Sequence, residues 1–257
     1  MRVWILLLLG AVSPGQPSYE KANALFIAQR FPEALAAVEE AIQLDARLVP
    51  ALTLKAKLAM AASRWDVAGK SLEQALAVDP KAAYAQFLYG MVAYMNNEMG
   101  EASTRFQKAR VLAPKDPRAA LYLGLTIESV GKPGDALALY EEAVRLERAS
   151  GQQDAGTLLP GARLLLLLGR LEESESWVRQ ALKLSPKMRE AHFELARILL
   201  KKGNADAAAQ AGELALSLPG ASPADSAIHY LLVRSWKQAG KPERAAFHAA
   251  VLRAKEN

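Results

Sequence analysis

AAYAQFLYGMVAYMNN (residues 82–97), followed by EMGEASTRFQKARVLAPKDP (residues 98–117), decides the fold. In the first block apolar side chains recur three and four apart, with Gly90 in the middle, as on a helix buried along one side. In the second block Ala102, Phe106 and Ala109 keep that spacing until Pro114 and Pro117 stop it. The two blocks make a helical hairpin. A single hairpin of this size cannot bury enough surface to be stable, so it needs neighbours that share its core.

Those neighbours are written in the chain. Ala34, Ala68, Ala102 and Ala136 stand thirty-four residues apart, and each is followed seven residues later by Ala41, Ala75, Ala109 or Ala143. Pro80 and Pro114 fall in the same register. After an insert at Gly151–Asp154 the register resumes with Ala181 and Pro186, then Ala208 and Ala215. After a slip near Ser222–Asp225 it reaches Ala245. The units are residues 15–48, 49–82, 83–116, 117–150, 155–188, 189–222 and 226–257. Small side chains recur because antiparallel helices approach closely only where side chains are nearly absent. Larger residues such as Phe31, Trp65, Phe106 and Leu171 are expected to fill the gaps between units.

The pattern resembles the tetratricopeptide repeat. Position 8 of the unit holds Ala22, Ala56, Gly90, Gly124, Ala162, Ala196 and Val233. Position 20 holds the alanine series with Ser174 in the fifth copy, and position 27 ends with Ala181, Ala215 and Leu252. The prolines at position 32 are Pro80, Pro114 and Pro186, whereas Ala46, Arg148 and Gly220 stand there in other copies. The last copy is the most divergent, as expected of a terminal capping unit. The resemblance implies an all-α, right-handed α-solenoid of about seven helix-turn-helix units. It also implies a concave groove lined by the first helices, and a protein-binding scaffold that is not an enzyme.

By the family's geometry, positions 5, 9 and 12 face that groove. They divide into two zones. Phe87, Met91, Tyr94, Met95, Leu121 and Leu125 form an apolar shelf. Arg163, Arg197, Arg234 and Lys237, with Lys201 nearby, form a basic zone. Residues 1–154 contain 17 basic and 17 acidic residues, and residues 155–257 contain 15 and 10, so the net charge of +5 lies in the last three units. Arginine suits carboxylates because its planar fork donates two hydrogen bonds at once. The expected ligand is an extended or helical protein segment, with apolar anchors on the shelf and acidic groups on the arginines. The alternative is that each Arg pairs with a Glu of its own scaffold. The family's carboxylate clamp is not expected, because Tyr19, Lys57, Phe87 and Met91 depart from its pattern and only Asn23 fits.

Composition narrows the remaining choices. The 257 residues include no Cys, which removes disulfides, thiolate metal sites and a cysteine nucleophile, and only three His. His192 and His229 sit at position 4, where packing is the plain reading, and His248 has no histidine four residues away on its helix. Glu39-Glu40, Glu141-Glu142 and Glu172-Glu173 point apart on helices and form solvated faces. No metal, no cofactor, no small-molecule substrate and no nucleic acid is expected. Arg2, the apolar run Val3–Val12 and the small residues Ser13 and Gly15 have the layout of a secretory signal, residues 1–15, cleaved near Gly15. Ten apolar residues reach about 15 Å as a helix, half a hydrocarbon core. The expectation is therefore a periplasmic or secreted scaffold, residues 16–257, that can work close to a membrane surface. The alternative is a membrane-anchored accessory subunit of an envelope assembly or secretion complex.

Overall fold

The computed structural model describes residues 13–256. The first twelve residues, which carry most of the expected signal segment, lie outside them. Among the described residues there are fourteen helices and no strand. They are α1 (Gln16–Ile27), α2 (Phe31–Leu44), α3 (Val49–Ala61), α4 (Trp65–Val78), α5 (Ala83–Met95), α6 (Met99–Leu112) and α7 (Pro117–Ser129). Then come α8 (Pro133–Ser150), α9 (Ala155–Leu167), α10 (Leu171–Leu184), α11 (Arg189–Lys201), α12 (Ala205–Ser217), α13 (Asp225–Gln238) and α14 (Pro242–Glu256). The chain divides into two compact units, Met1–Thr126 and Ile127–Asn257, with the division inside α7. In each unit a helix packs on its successor as a hairpin, and each hairpin packs on the next.

Every hairpin turns by the same device. After α1 the N–H of Gln29 donates to the carbonyl of Phe26 (3.0 Å), and that of Arg30 to Leu25 (2.9 Å). This pair of bonds satisfies carbonyls that the helix end leaves bare, and it requires a left-handed residue. The bonds recur at Ser63/Arg64 and Asn97/Glu98 in the first unit, and at Gly131/Lys132, Gly169/Arg170, Gly203/Asn204 and Gly240/Lys241 in the second. The next helix starts within two residues, too soon for its axis to leave the preceding one.

Close approach then decides the core. Ala22, Ala34, Ala41, Ala56, Ala68 and Ala75 are fully buried in the first unit, as are Ala136, Ala143, Ala181, Ala196, Ala208 and Ala215 in the second. Gly90 lies under the Phe106 ring, where a Cβ would come within 2.7 Å of it. Gly161 lies under Trp177, where a Cβ would come within 2.2 Å. Phe106 is buried completely, a contribution of about 1.5–3 kcal/mol to the first unit. The other expected gap fillers are less buried. Phe31 is 41% exposed, and Trp65 and Leu171 are half-buried. These three open their helices beside the turns, away from the crossing where Phe106 sits.

Two inserts are tied down by buried charges. α8 has no proline at position 32 and runs for 18 residues until Gly151 ends it in the left-handed conformation. In its last turn, buried Glu147 accepts from the Thr157 hydroxyl (2.6 Å) and the Asp154 N–H (3.1 Å). Arg189, 6% exposed, donates to the carbonyls of Leu218 (2.8 Å) and Pro223 (3.1 Å) and to Asp225. This arginine clasps the 218–225 loop.

Candidate functional site

In the first unit, first helices bring Tyr19 and Asn23 (α1), Thr53 and Lys57 (α3), and Tyr84 (α5) around a cavity of about 330 Å³. The Lys57 ammonium stands 4.2 Å from the centre of the Phe26 ring and 6.0 Å from that of Tyr84. Arg118 lies 5.2 Å from the centre of Tyr84 and 5.3 Å from that of Phe87, and its fork grips Asp116 (2.6 Å). Burial, reinforced by the charge of Arg118, pushes the Lys57 ammonium below the usual lysine range.

The shelf residues sit in this unit, and all but Met95 are buried or half-buried. Phe87 is only 6% exposed, with its ring 5.7 Å from Phe106 and 5.4 Å from Tyr122. It underlies the surface and cannot be a contact on it. Met91, Tyr94, Leu121 and Leu125 are half-buried, while Met95 is 56% exposed. The sequence reading missed Lys57, Tyr84 and Arg118 as a group. The motif position of Lys57 was visible, but its ring partners come from separate helices.

In the second unit two cavities adjoin at Phe193 and Arg197. One, of about 550 Å³, is lined by Leu166, Leu167, Phe193, Leu200, Tyr230 and Leu231 together with Arg197, Lys201, Arg234 and Gln238. The other, of about 310 Å³, adds Arg163, Glu190 and Glu194. The three arginines therefore line one continuous surface, but their surroundings differ. Arg197 donates to Glu194 at 2.8 Å, and Glu194 is 6% exposed. Burial pushes that carboxyl above its usual range, while Arg197 and Arg163 oppose the shift. Thus Arg197 has an internal counter-ion, and Arg163 feels the same one. Arg234, Lys201 and Lys237 form no salt bridge among the described residues. Lys237 lies in a neighbouring cleft of about 460 Å³ with Val233 and Arg253.

The larger cavity thus carries positive charge with no acidic lining residue. It lies beside apolar groups that water still reaches, with Leu167 71% and Tyr230 55% exposed. Such a surface has the chemistry to hold an apolar side chain beside a carboxylate.

The histidines pack among the helices as expected, with one contact beyond that reading. His192 is half-buried, with its Nε2 2.8 Å from the Pro186 carbonyl. His248 has a partner after all, on another helix: its Nδ1 lies 2.9 Å from Nδ1 of His229, and both rings are buried. No cluster of three side chains able to hold a metal occurs among the described residues. No described helix is long and apolar enough to cross a membrane.

Comparison with known proteins agrees with this architecture. The family model described as Tetratricopeptide repeat matches residues 53–117, 100–155 and 159–226. The chain belongs to the tetratricopeptide repeat family. No curated protein matches it. Among solved structures, the hetero-tetramer Cut9-Hcn1 of APC/C aligns with TM-score 0.74 at 18% identity, over 87% of this chain and 43% of the other. The chain therefore spans less than half the length of that protein. A tetratricopeptide repeat protein from Parabacteroides merdae aligns with TM-score 0.68 at 14% identity, over 95% and 93% of the two chains. YrrB, described as having an unusual peptide-binding site, aligns with TM-score 0.60 at 21% identity, over 78% and 98%. At these identities the likeness is one of fold: an α-solenoid of stacked hairpins, the fold of protein–protein interaction scaffolds.

Proposed function

We propose that this scaffold binds a protein segment through the second unit, an apolar anchor seated among Leu167, Phe193 and Tyr230 with an acidic residue beside it against Arg234 and Lys201. One observation carries this reading: two cations without a salt bridge among the described residues share a cavity with water-exposed apolar side chains. Arg197 joins only in part, because Glu194 already occupies it. Arg163 is least engaged, since its cavity contains two carboxylates. The apolar residues supply area, and the cations supply specificity and encounter rate.

The test is titration of a fluorescent acidic–apolar peptide. Arg234→Glu is expected to weaken binding at least about tenfold, equivalent to ~1.4 kcal/mol, and to reduce its salt dependence. Equal affinity of the variant and the parent would discard the site.

Export is part of the proposal, supported by the Arg2 and Val3–Val12 layout. A retained anchor on an envelope-associated subunit is the second reading. It is favoured by Gly15, which is buried against the Ala41 carbonyl, and by Ser13, whose hydroxyl donates to Asp45 at 2.6 Å. Mass spectrometry of the native N-terminus separates the two, as Gln16 for the first and an earlier residue for the second.

A further inference from the structure

The last hairpin contains a titratable contact that peptide binding does not use. His229 on α13 and His248 on α14 are 6% and 5% exposed, and their Nδ1 atoms are 2.9 Å apart. At that distance the two nitrogens hold one proton between them, so one ring donates and the other accepts. Charged groups beside the pair include Glu213 and Arg244, from two helices. Glu213 of α12 has an oxygen 4.0 Å from Nε2 of His248 and accepts the indole N–H of Trp236 at 3.1 Å. Arg244 of α14 shares a cleft with His248 and Glu213, and its guanidinium lies 4.6 Å from the centre of the Trp236 ring.

We infer that the last hairpin is an acid-operated latch, in which protonation of the His229–His248 pair releases α14 from α13. A first added proton places a charge in a buried site, where Glu213 offsets only part of the cost. A second sets N–H against N–H and destroys the bond. Burial, followed by the charge of His229, holds the His248 imidazole below its usual range, with Glu213 opposing. A ring with a depressed value binds fewer protons folded than unfolded. Hairpin stability is therefore complete above the ordinary imidazole value, about 6.5, and falls as pH drops below it. Release is confined to α14 because contacts in a stacked array are nearest-neighbour. Helix α13 stays docked to α12 through Leu232, which lies on Gly212, and Trp236, which donates to Glu213.

Hydrogen exchange of the full chain at about pH 7.5 and about pH 5.5, either side of the imidazole range, tests the latch. After correction for intrinsic exchange rates, α14 amides are expected to open several-fold more at the lower pH. The limit is about tenfold per pH unit for each proton taken up. Amides of α9 and α10 should be unchanged. His229→Gln, which keeps a neutral hydrogen-bonding side chain, is expected to shrink the acid response. Glu213→Gln, which still accepts from Trp236, should enlarge it. Equal protection of α14 at both pH values would overturn the inference, as would the same acid response in His229→Gln. If that variant does not fold, the opposite shift expected of Glu213→Gln decides, and an unaltered response there overturns the latch.

Discussion

The two units close their hairpins with the same hydrogen bonds but with different residues. In the first unit the left-handed positions are Gln29, Ser63 and Asn97, with φ of 59°, 56° and 63°. In the second they are Gly131, Gly169, Gly203 and Gly240, with φ between 70° and 85°. A side chain in that conformation costs about 1–2 kcal/mol, less for Asn, whose amide can bond locally. The first unit therefore carries strain at each turn, which its packing must offset, and the second carries none. The second instead places its tightest contact in the core, at Gly161 beneath Trp177. One architecture thus tolerates a poor local choice in two different places, because stacked neighbours over-determine each hairpin.

That contrast can be broken where it is strongest. Gly161→Ala puts a methyl group into the Trp177 ring, in a site with no room for it. A loss of about 3 kcal/mol, at the upper end of ordinary overpacking costs, is expected. Gly90→Ala, with 2.7 Å available beside Phe106, should cost less. Urea titrations followed by tryptophan fluorescence would show the order, and an unshifted midpoint for Gly161→Ala would remove the packing half of the comparison. A smaller effect belongs to Arg189→Met. It leaves the Leu218 and Pro223 carbonyls without their donor, for about 1–3 kcal/mol. Exchange protection should fall first in α13, beyond the clasped loop, and loss spread evenly over the second unit would contradict the clasp. The turns give the smallest and sharpest test. Gly169→Ala and Gly203→Ala should each lose about 1 kcal/mol, and Ser63→Gly should gain a similar or smaller amount. Stabilisation by all three substitutions would end the distinction between the units.

The same contrast explains what the sequence allowed us to read. The alanine series at thirty-four-residue spacing was legible because helix crossings admit only small side chains, and the fold buries it throughout. Turn glycines in the second unit are local signals. Gln29 and Ser63 are not, since only the strength of their neighbours' packing puts them in a left-handed conformation. Site chemistry was harder still. Arg197 and Glu194 are three apart, so their pairing was foreseeable, but the burial of Glu194 depends on neighbouring helices. The contact of His229 with His248 joins residues nineteen apart on two helices, and helical periodicity within either helix contains no trace of it. Phe87 failed as a surface residue for a related reason. Its motif position is correct, but Phe106 and Tyr122 converge on its ring.

Gly15 and Ser13 are the small residues a leader-processing enzyme would need, and they are also the cornerstone of the first hairpin. Gly15 is buried and opens α1, and the Ser13 hydroxyl anchors the strand of chain before it to Asp45. A protease requires its target bond in an extended, accessible stretch, which this corner ceases to be once it has set. If the proposed leader is removed at that bond, trimming and maturation of the hairpin are competing clocks. Under that proposal, the earlier of the two events fixes where the finished polypeptide starts.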